Sequence, residues 1–94
     1  MASYLIGHIT VKDNKLWQEY VAGVQESLIP YKSEIVFRGK LAAVLAGKHE
    51  YDQVVVIEFH DLATLENWYV SEKYHSVIPI RNMAADVVIT SYTT

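Results

Sequence analysis

Tyr4 to Val11, YLIGHITV, is dense in β-branched and aromatic residues and stops at the polar cluster Lys12-Asp13-Asn14, which predicts a strand followed by a helix start. Asp13 is placed to cap that helix. Trp17, Tyr20, Val21, Val24 and Leu28 then recur at spacings of three and four and give the helix one apolar face. Pro30 blocks its regular continuation, so it should end around Leu28 to Lys32. Glu34 to Arg38 reads as a second strand, with Leu41 to Ala46 as its continuation beyond a bend at Gly39-Lys40. Gly47 to Asp52 has the composition of a hairpin loop, and Val54 to Phe59 is the returning strand. Asp61 caps a helix whose apolar face is Leu62, Leu65, Trp68 and Tyr69. Ser71 caps a short further helix that Pro79 should interrupt, leaving Ile80 to Ala85 irregular or a last turn, and Val87 to Tyr92 is the final strand.

The order is β-α-β-β-α-β, an α+β pattern that predicts a four-stranded antiparallel sheet with its helices on one face, within one domain spanning residues 1–94. Strand parity sorts the two faces. Leu5, Gly7, Ile9 and Val11 oppose Tyr4, Ile6, His8 and Thr10, and Val55, Ile57 and Phe59 oppose Val54, Val56 and Glu58. The first set in each strand suits a face beneath helices. The second is still largely apolar, whereas a sheet facing water alternates more cleanly. Such a face on a small chain predicts burial against a second copy, with Ile6, Val54 and Val56 in a homodimer interface.

Composition narrows the chemistry. The chain has 94 residues, half of them hydrophobic, and a chain of that size buries only about 60 to 70% of the surface it exposes when unfolded, so partner surface would help it. A net charge of -3 with scattered Lys and Arg provides no basic stripe for phosphates, and no nucleic-acid partner is expected. The absence of cysteine excludes disulfides, thiolate metal sites and cysteine nucleophiles. No apolar run approaches the roughly 20 residues of a membrane span, and the first strand begins almost at Met1. A cytoplasmic protein without membrane association is the expectation.

Several features together resemble a known family: the element order, Arg38-Gly39 at the bend, Glu58-Phe59 closing the third strand, Trp68-Tyr69 followed by Ser71 and Tyr74, and Pro79 with Arg81. The chain is similar over nearly its whole length to the small bacterial domain-of-unknown-function family thirteen-thirty. That family lies in the dimeric α/β-barrel superfamily with antibiotic-biosynthesis monooxygenases and muconolactone isomerases. The resemblance implies a ferredoxin-like subunit whose sheet pairs with its twin to close a barrel. Lys32-Ser33 stands where the family often has a glycine pair, Arg38-Gly39-Lys40 where it often has Arg-Gly-Gly, and His60-Asp61 where relatives often have proline. The family brings no established activity with it.

Glu58 stands out as a carboxylate closing a run of valines and isoleucine, costly to bury unless paired. With the first strand taken as the parallel neighbour of the third, His8 shares its parity and neighbourhood. Arg38 from the second strand and Arg81 from beyond the second helix should reach the same end, roofed by Trp68 and Tyr74. In the functional reading Glu58 or His8 is the catalytic group that moves a proton on a small ligand, and Arg38, Trp68, Tyr74 and Arg81 bind it. The bland reading, which carries more weight on the residues alone, makes Glu58 and an arginine a structural ion pair.

His49 and His60 fall in turns and His75 on a short helix. No two histidines have the close helical spacing of a metal site, no residue is marked as a haem ligand, and no nucleotide fingerprint is present, so neither metal nor cofactor is expected. The expectation is a small-molecule-binding protein for a small aromatic or acidic metabolite. Cofactor-independent proton transfer or monooxygenation is the enzymatic version, and a non-catalytic dimeric binding or structural module is the alternative.

Overall fold

The computed structural model describes residues 1–94. Seven elements follow one another: β1 (Ser3–Val11), α1 (Asn14–Leu28), β2 (Ser33–Lys40), β3 (Gln53–Phe59), α2 (Leu62–Tyr69), α3 (Glu72–Ala84) and β4 (Ala85–Thr93). The sheet order is β2-β3-β1-β4, with β3 antiparallel to both β1 and β2 and β4 antiparallel to β1. This is the split βαβ arrangement that the order of patterns predicts.

The helices start where the sequence places their caps. Asp13 Oδ1 accepts the backbone N–H of Leu16 at 3.1 Å, Asp61 Oδ1 that of Thr64 at 2.8 Å, and Ser71 Oγ that of Tyr74 at 3.3 Å. Asp61 also accepts the Thr64 hydroxyl at 2.6 Å, and this bond, followed by the one from the Thr64 N–H, holds its carboxyl below the usual range. A folded-state pKa below the unfolded one means that the cap stabilises fully above the unfolded value of about 3.9 and is lost as pH falls through the lower folded value. Thermal unfolding should therefore show Asp61→Ala melting below the parent near pH ~7, with the gap closing near pH ~2. A gap independent of pH would contradict the cap.

The core forms between sheet and helices. Leu5, Ile9, Val55, Ile57 and Phe59 point up from β1 and β3 and meet Trp17, Tyr20, Val24, Leu65, Trp68, Tyr74 and Val77, all buried. Helices α1 and α3 pack closely because Gly23 has no side chain: a Cβ there would sit 2.6 Å from Val77 Cγ1. Ser27 is also buried, its hydroxyl donating to Val24 O at 2.7 Å and accepting from Trp68 Nε1 at 2.9 Å, so indole and helix are tied together.

Four local expectations are corrected. Residues 41–46 do not continue β2, because Lys40↔Gln53 is the last β2–β3 pair; beyond it only Leu41 N–H to Asp52 O, at 2.7 Å, bridges the loop. The irregularity in β2 lies at Val36, between the registers Ile35↔Ile57 and Phe37↔Val56, and not at Gly39-Lys40. Helix α3 runs through Pro79 to Ala84. Pro79 faces solvent, Tyr74, Val77 and Ala84 hold the opposite face in the core, and Ala84 O accepts from Lys12 N at 2.7 Å and Asp13 N at 2.9 Å. Tertiary anchoring here overrides the proline's local preference. Finally, β1 is antiparallel to β3, so Tyr4 lies opposite Glu58 while His8 lies opposite Val54.

Most of the opposite face of the sheet has no cover within the chain; only at its His8 end do His49 and Tyr51, from the loop before β3, lie against it. The shortest dimension, 17 Å, accommodates one sheet and one layer of helices. On the bare side Ile6, Val54 and Val56 are half-buried by their neighbours alone, and Phe37, Val88 and Tyr92 are exposed.

Candidate functional site

The bulge at Val36 decides where the site forms. An extra residue in one strand turns every later side chain to the other face. Arg38 is thereby set opposite Val55, whose side chain points at the helices, instead of opposite Val54 on the bare side. Arg38, itself exposed, is among the residues lining a cavity of about 30 Å³ between sheet and helices. Leu5, Gly7, Val55 and Ile57 form the floor, and Trp17, Tyr20, Trp68 and Tyr74 are among the residues of the roof. Gly7 is required for the floor's shape, since a Cβ there would stand 3.1 Å from Val55 Cγ1.

Three polar groups form a chain above this apolar wall. Arg81 Nη1 donates to the Tyr74 hydroxyl at 3.0 Å, and the Tyr74 and Tyr20 hydroxyls are 2.9 Å apart. A guanidinium only donates, so one lone pair of the Tyr74 oxygen is committed to Arg81 and its own proton is free to go to Tyr20. Either hydroxyl can donate in the Tyr74–Tyr20 bond; where Tyr74 donates, the Tyr20 proton is available to a ligand. Burial first, and then the neighbouring Tyr74, push the Tyr20 phenol far above its usual pKa, so it is a neutral donor and not a base. Burial alone would lower Arg81, but the neighbouring phenols of Tyr69 and Tyr74, the second of them hydrogen-bonded to Nη1, outweigh that and hold the guanidinium above its ordinary value.

Arg38 differs. Burial lowers its pKa from the ordinary arginine value, with Tyr20 opposing, and it takes part in neither of the chain's two ion pairs, Lys12–Asp86 and Lys73–Glu26. A cation without a counter-ion therefore borders an apolar cavity whose lining includes no carboxylate and no imidazole. Arg38, Trp17, Ile9 and Val21 also line the adjoining surface depression of about 470 Å³, so these four residues border both the small cavity and the larger space outside.

Of the residues singled out from sequence, Arg38, Trp68 and Tyr74 meet at this cavity, and Arg81 reaches it through Tyr74. Glu58 and His8 do not. Both project from the bare side of the sheet, and antiparallel pairing sets them about 13 Å apart at four residues of strand rise. Glu58 meets the Tyr4 hydroxyl at 3.4 Å and forms no ion pair with an arginine. His8 packs edge-on against His49, with ring centroids 4.9 Å apart. The expected meeting of acid, base and cation is corrected accordingly. Tyr20 was hidden from sequence reading inside the apolar stripe of α1, where a tyrosine reads as core; its one signal was a polar tip that a buried position obliges to find a partner.

The DUF1330 family, described as a domain of unknown function, matches residues 2–92. The chain belongs to that family. No curated protein gives a significant match to this DUF1330 chain. Among solved structures it is similar to a dimeric ferredoxin-like protein of unknown function from Jannaschia sp. CCS1, at TM-score 0.72 and 10% identity over 100% of both chains. The hydroxynitrile lyase of Passiflora edulis superposes at TM-score 0.74 with 15% identity, over 97% of this chain and 91% of that one. SnoaB, a cofactor-independent oxygenase from Streptomyces nogalater, does so at TM-score 0.68 with 9% identity, over 99% and 92%. At these identities the likeness establishes the fold: this DUF1330 chain is ferredoxin-like.

Proposed function

We propose that the chain binds a small molecule with an apolar body and one anionic or strongly polarised oxygen, in the space between helices and sheet, as a homodimer formed through the bare sheet face. The single observation carrying this reading is the unpaired Arg38 beside the Arg81–Tyr74–Tyr20 chain over an apolar cavity. An uncompensated guanidinium is stabilised by a carboxylate or oxyanion, and the Tyr20 hydroxyl supplies a second donor. The apolar floor and the indoles suit an aryl or alkyl body. The enclosed volume admits little more than a water molecule, so the ligand's body enters as Arg38 swings on its flexible stem and joins the cavity to the depression beside it. The dimeric assembly named for the Jannaschia protein supports the second copy.

A site of donors without a side-chain base favours reactions in which negative charge builds on a substrate oxygen. The hydroxynitrile lyase and the cofactor-independent oxygenase of the same fold make lyase and oxygenase reactions the classes to test first. The second reading, a non-catalytic module, is favoured by the small volume and by the mutual satisfaction of the two tyrosines.

Trp17 and Trp68 line the cavity and report on its occupancy. Titrating tryptophan fluorescence with small aryl and alkyl carboxylates, each beside its amide, should give saturation at one ligand per subunit with carboxylates favoured. No saturable response to any carboxylate would reject the reading in favour of the module.

A further inference from the structure

One cross-strand row of residues runs along the floor of the cavity from edge to edge of the sheet. Arg38 lies opposite Val55, Val55 opposite Gly7 and Gly7 opposite Ile89, and all four residues line the cavity. Three strand spacings make the row about 14 Å long. Its two ends differ. At the β2 end stands the Arg38 guanidinium, without a carboxylate partner. At the β4 end the helix layer is incomplete: α2 packs on β1 and β3, and Ile89 is only half-buried while Leu5 and Ile57 on the central strands are buried. A groove of about 350 Å³ opens there, sharing Leu5 and Ile89 with the cavity and continuing along Leu65, Tyr69 and Val70. Its one charged residue is Glu66, which is in no ion pair.

Resting on the ligand site proposed above, we infer that the ligand is an elongated carboxylate whose unbranched apolar tail follows this row and leaves the fold at the β4 edge, beside α2. Charge fixes the direction. The anionic head belongs at Arg38, whereas Glu66 at the far end repels a carboxylate and leaves a neutral tail unaffected. Width fixes the shape. An enclosed space of about 30 Å³ opens to a single file of methylenes with small side-chain shifts, while a branched or fused-ring body has to part α1 from the sheet. Length follows from the row, since about 14 Å spans roughly eleven carbon–carbon bonds in extended form. The occupant of the groove is this tail because Leu5 and Ile89 line both spaces, so a chain that outgrows the cavity continues into the groove and covers their apolar surface.

A chain-length series tests this path. Butanoate, octanoate and dodecanoate, each below its micellar concentration, are titrated into the protein by calorimetry and tryptophan fluorescence. Affinity should rise roughly two- to fourfold for each methylene added up to about dodecanoate, at one ligand per subunit. Butanoate bound as tightly as its longer homologues overturns the tail path and leaves the Arg38 site standing. Uptake of several dodecanoates per subunit is adsorption on the bare sheet face and overturns the path as well. No binding of any carboxylate removes the site and the path together. Val70→Glu sets a charge in the groove at a position that is 67% exposed, and should lower the ratio of dodecanoate to butanoate affinity about tenfold. An unchanged ratio contradicts the path. If circular dichroism shows Val70→Glu unfolded, Ser91→Glu, at an exposed position in the same groove, takes its place with the same expectation.

Discussion

Trp68→Ala should lower stability by about 3–5 kcal/mol, which is much of the roughly 5–15 kcal/mol that holds such a domain folded. The indole is 2% exposed and its ring centroid lies 4.4 Å from that of Tyr74 and 5.5 Å from that of Phe59, so truncation opens a void that these two rings, fixed on α3 and β3, cannot fill. It also removes the Nε1 donor from the Ser27 hydroxyl, 2.9 Å away and itself buried. Urea unfolding of the parent, Trp68→Ala and Trp68→Phe separates the two contributions. The phenylalanine variant keeps a ring and loses the bond, which should cost about 1–2 kcal/mol beyond the reduced packing. A loss below about 1 kcal/mol for the alanine variant would mean that the aromatic cluster does not anchor α2 to α1.

Arg38→Gln has the opposite profile. The guanidinium has no carboxylate partner and is partly desolvated, so removing it should leave stability within about 0.5 kcal/mol of the parent or raise it slightly. Affinity for a carboxylate ligand should fall roughly 10- to 100-fold, the usual worth of a charge-assisted contact, while affinity for the matching amide changes little. Glu58→Gln, on the far side of the sheet, should leave both affinities unchanged. If Arg38→Gln instead destabilised the chain and left binding intact, Arg38 would be a structural residue.

The contrast between these two positions shows what the sequence made legible. Trp68 could be assigned to the core because Leu62, Leu65 and Trp68 repeat at helical spacing behind the Asp61 cap, and the faces of β1 and β3 followed from strict alternation around Ile6 and Val56. Arg38 was recognised as a site residue, but its side of the sheet was not readable. A bulge at Val36 carries no glycine or proline signal, and one inserted residue moves the arginine from the bare face to the cavity. Glu58 and His8 do share a face, as their parity requires, yet strand direction separates them along it. Direction depends on which strands become neighbours, a non-local matter that residue types within one strand do not encode. The Tyr20–Tyr74 bond joins helices 54 positions apart in the chain, and Pro79 was read as a stop because its local effect is visible and the anchoring of Ala84 is not.

The central claim is that ligand chemistry belongs to the helix side of the sheet, at Arg38 and Tyr20, and not to the conspicuous Glu58 and His8. A crystal structure with a saturating small aryl carboxylate tests it most directly. The account predicts the carboxylate oxygens within hydrogen-bond distance, about 2.7–3.2 Å, of the Arg38 guanidinium and the Tyr20 hydroxyl, with the ring against Trp17 or Trp68. A ligand seated instead on the bare face, against His8 or Glu58, with the cavity beneath α1 unchanged, would contradict it.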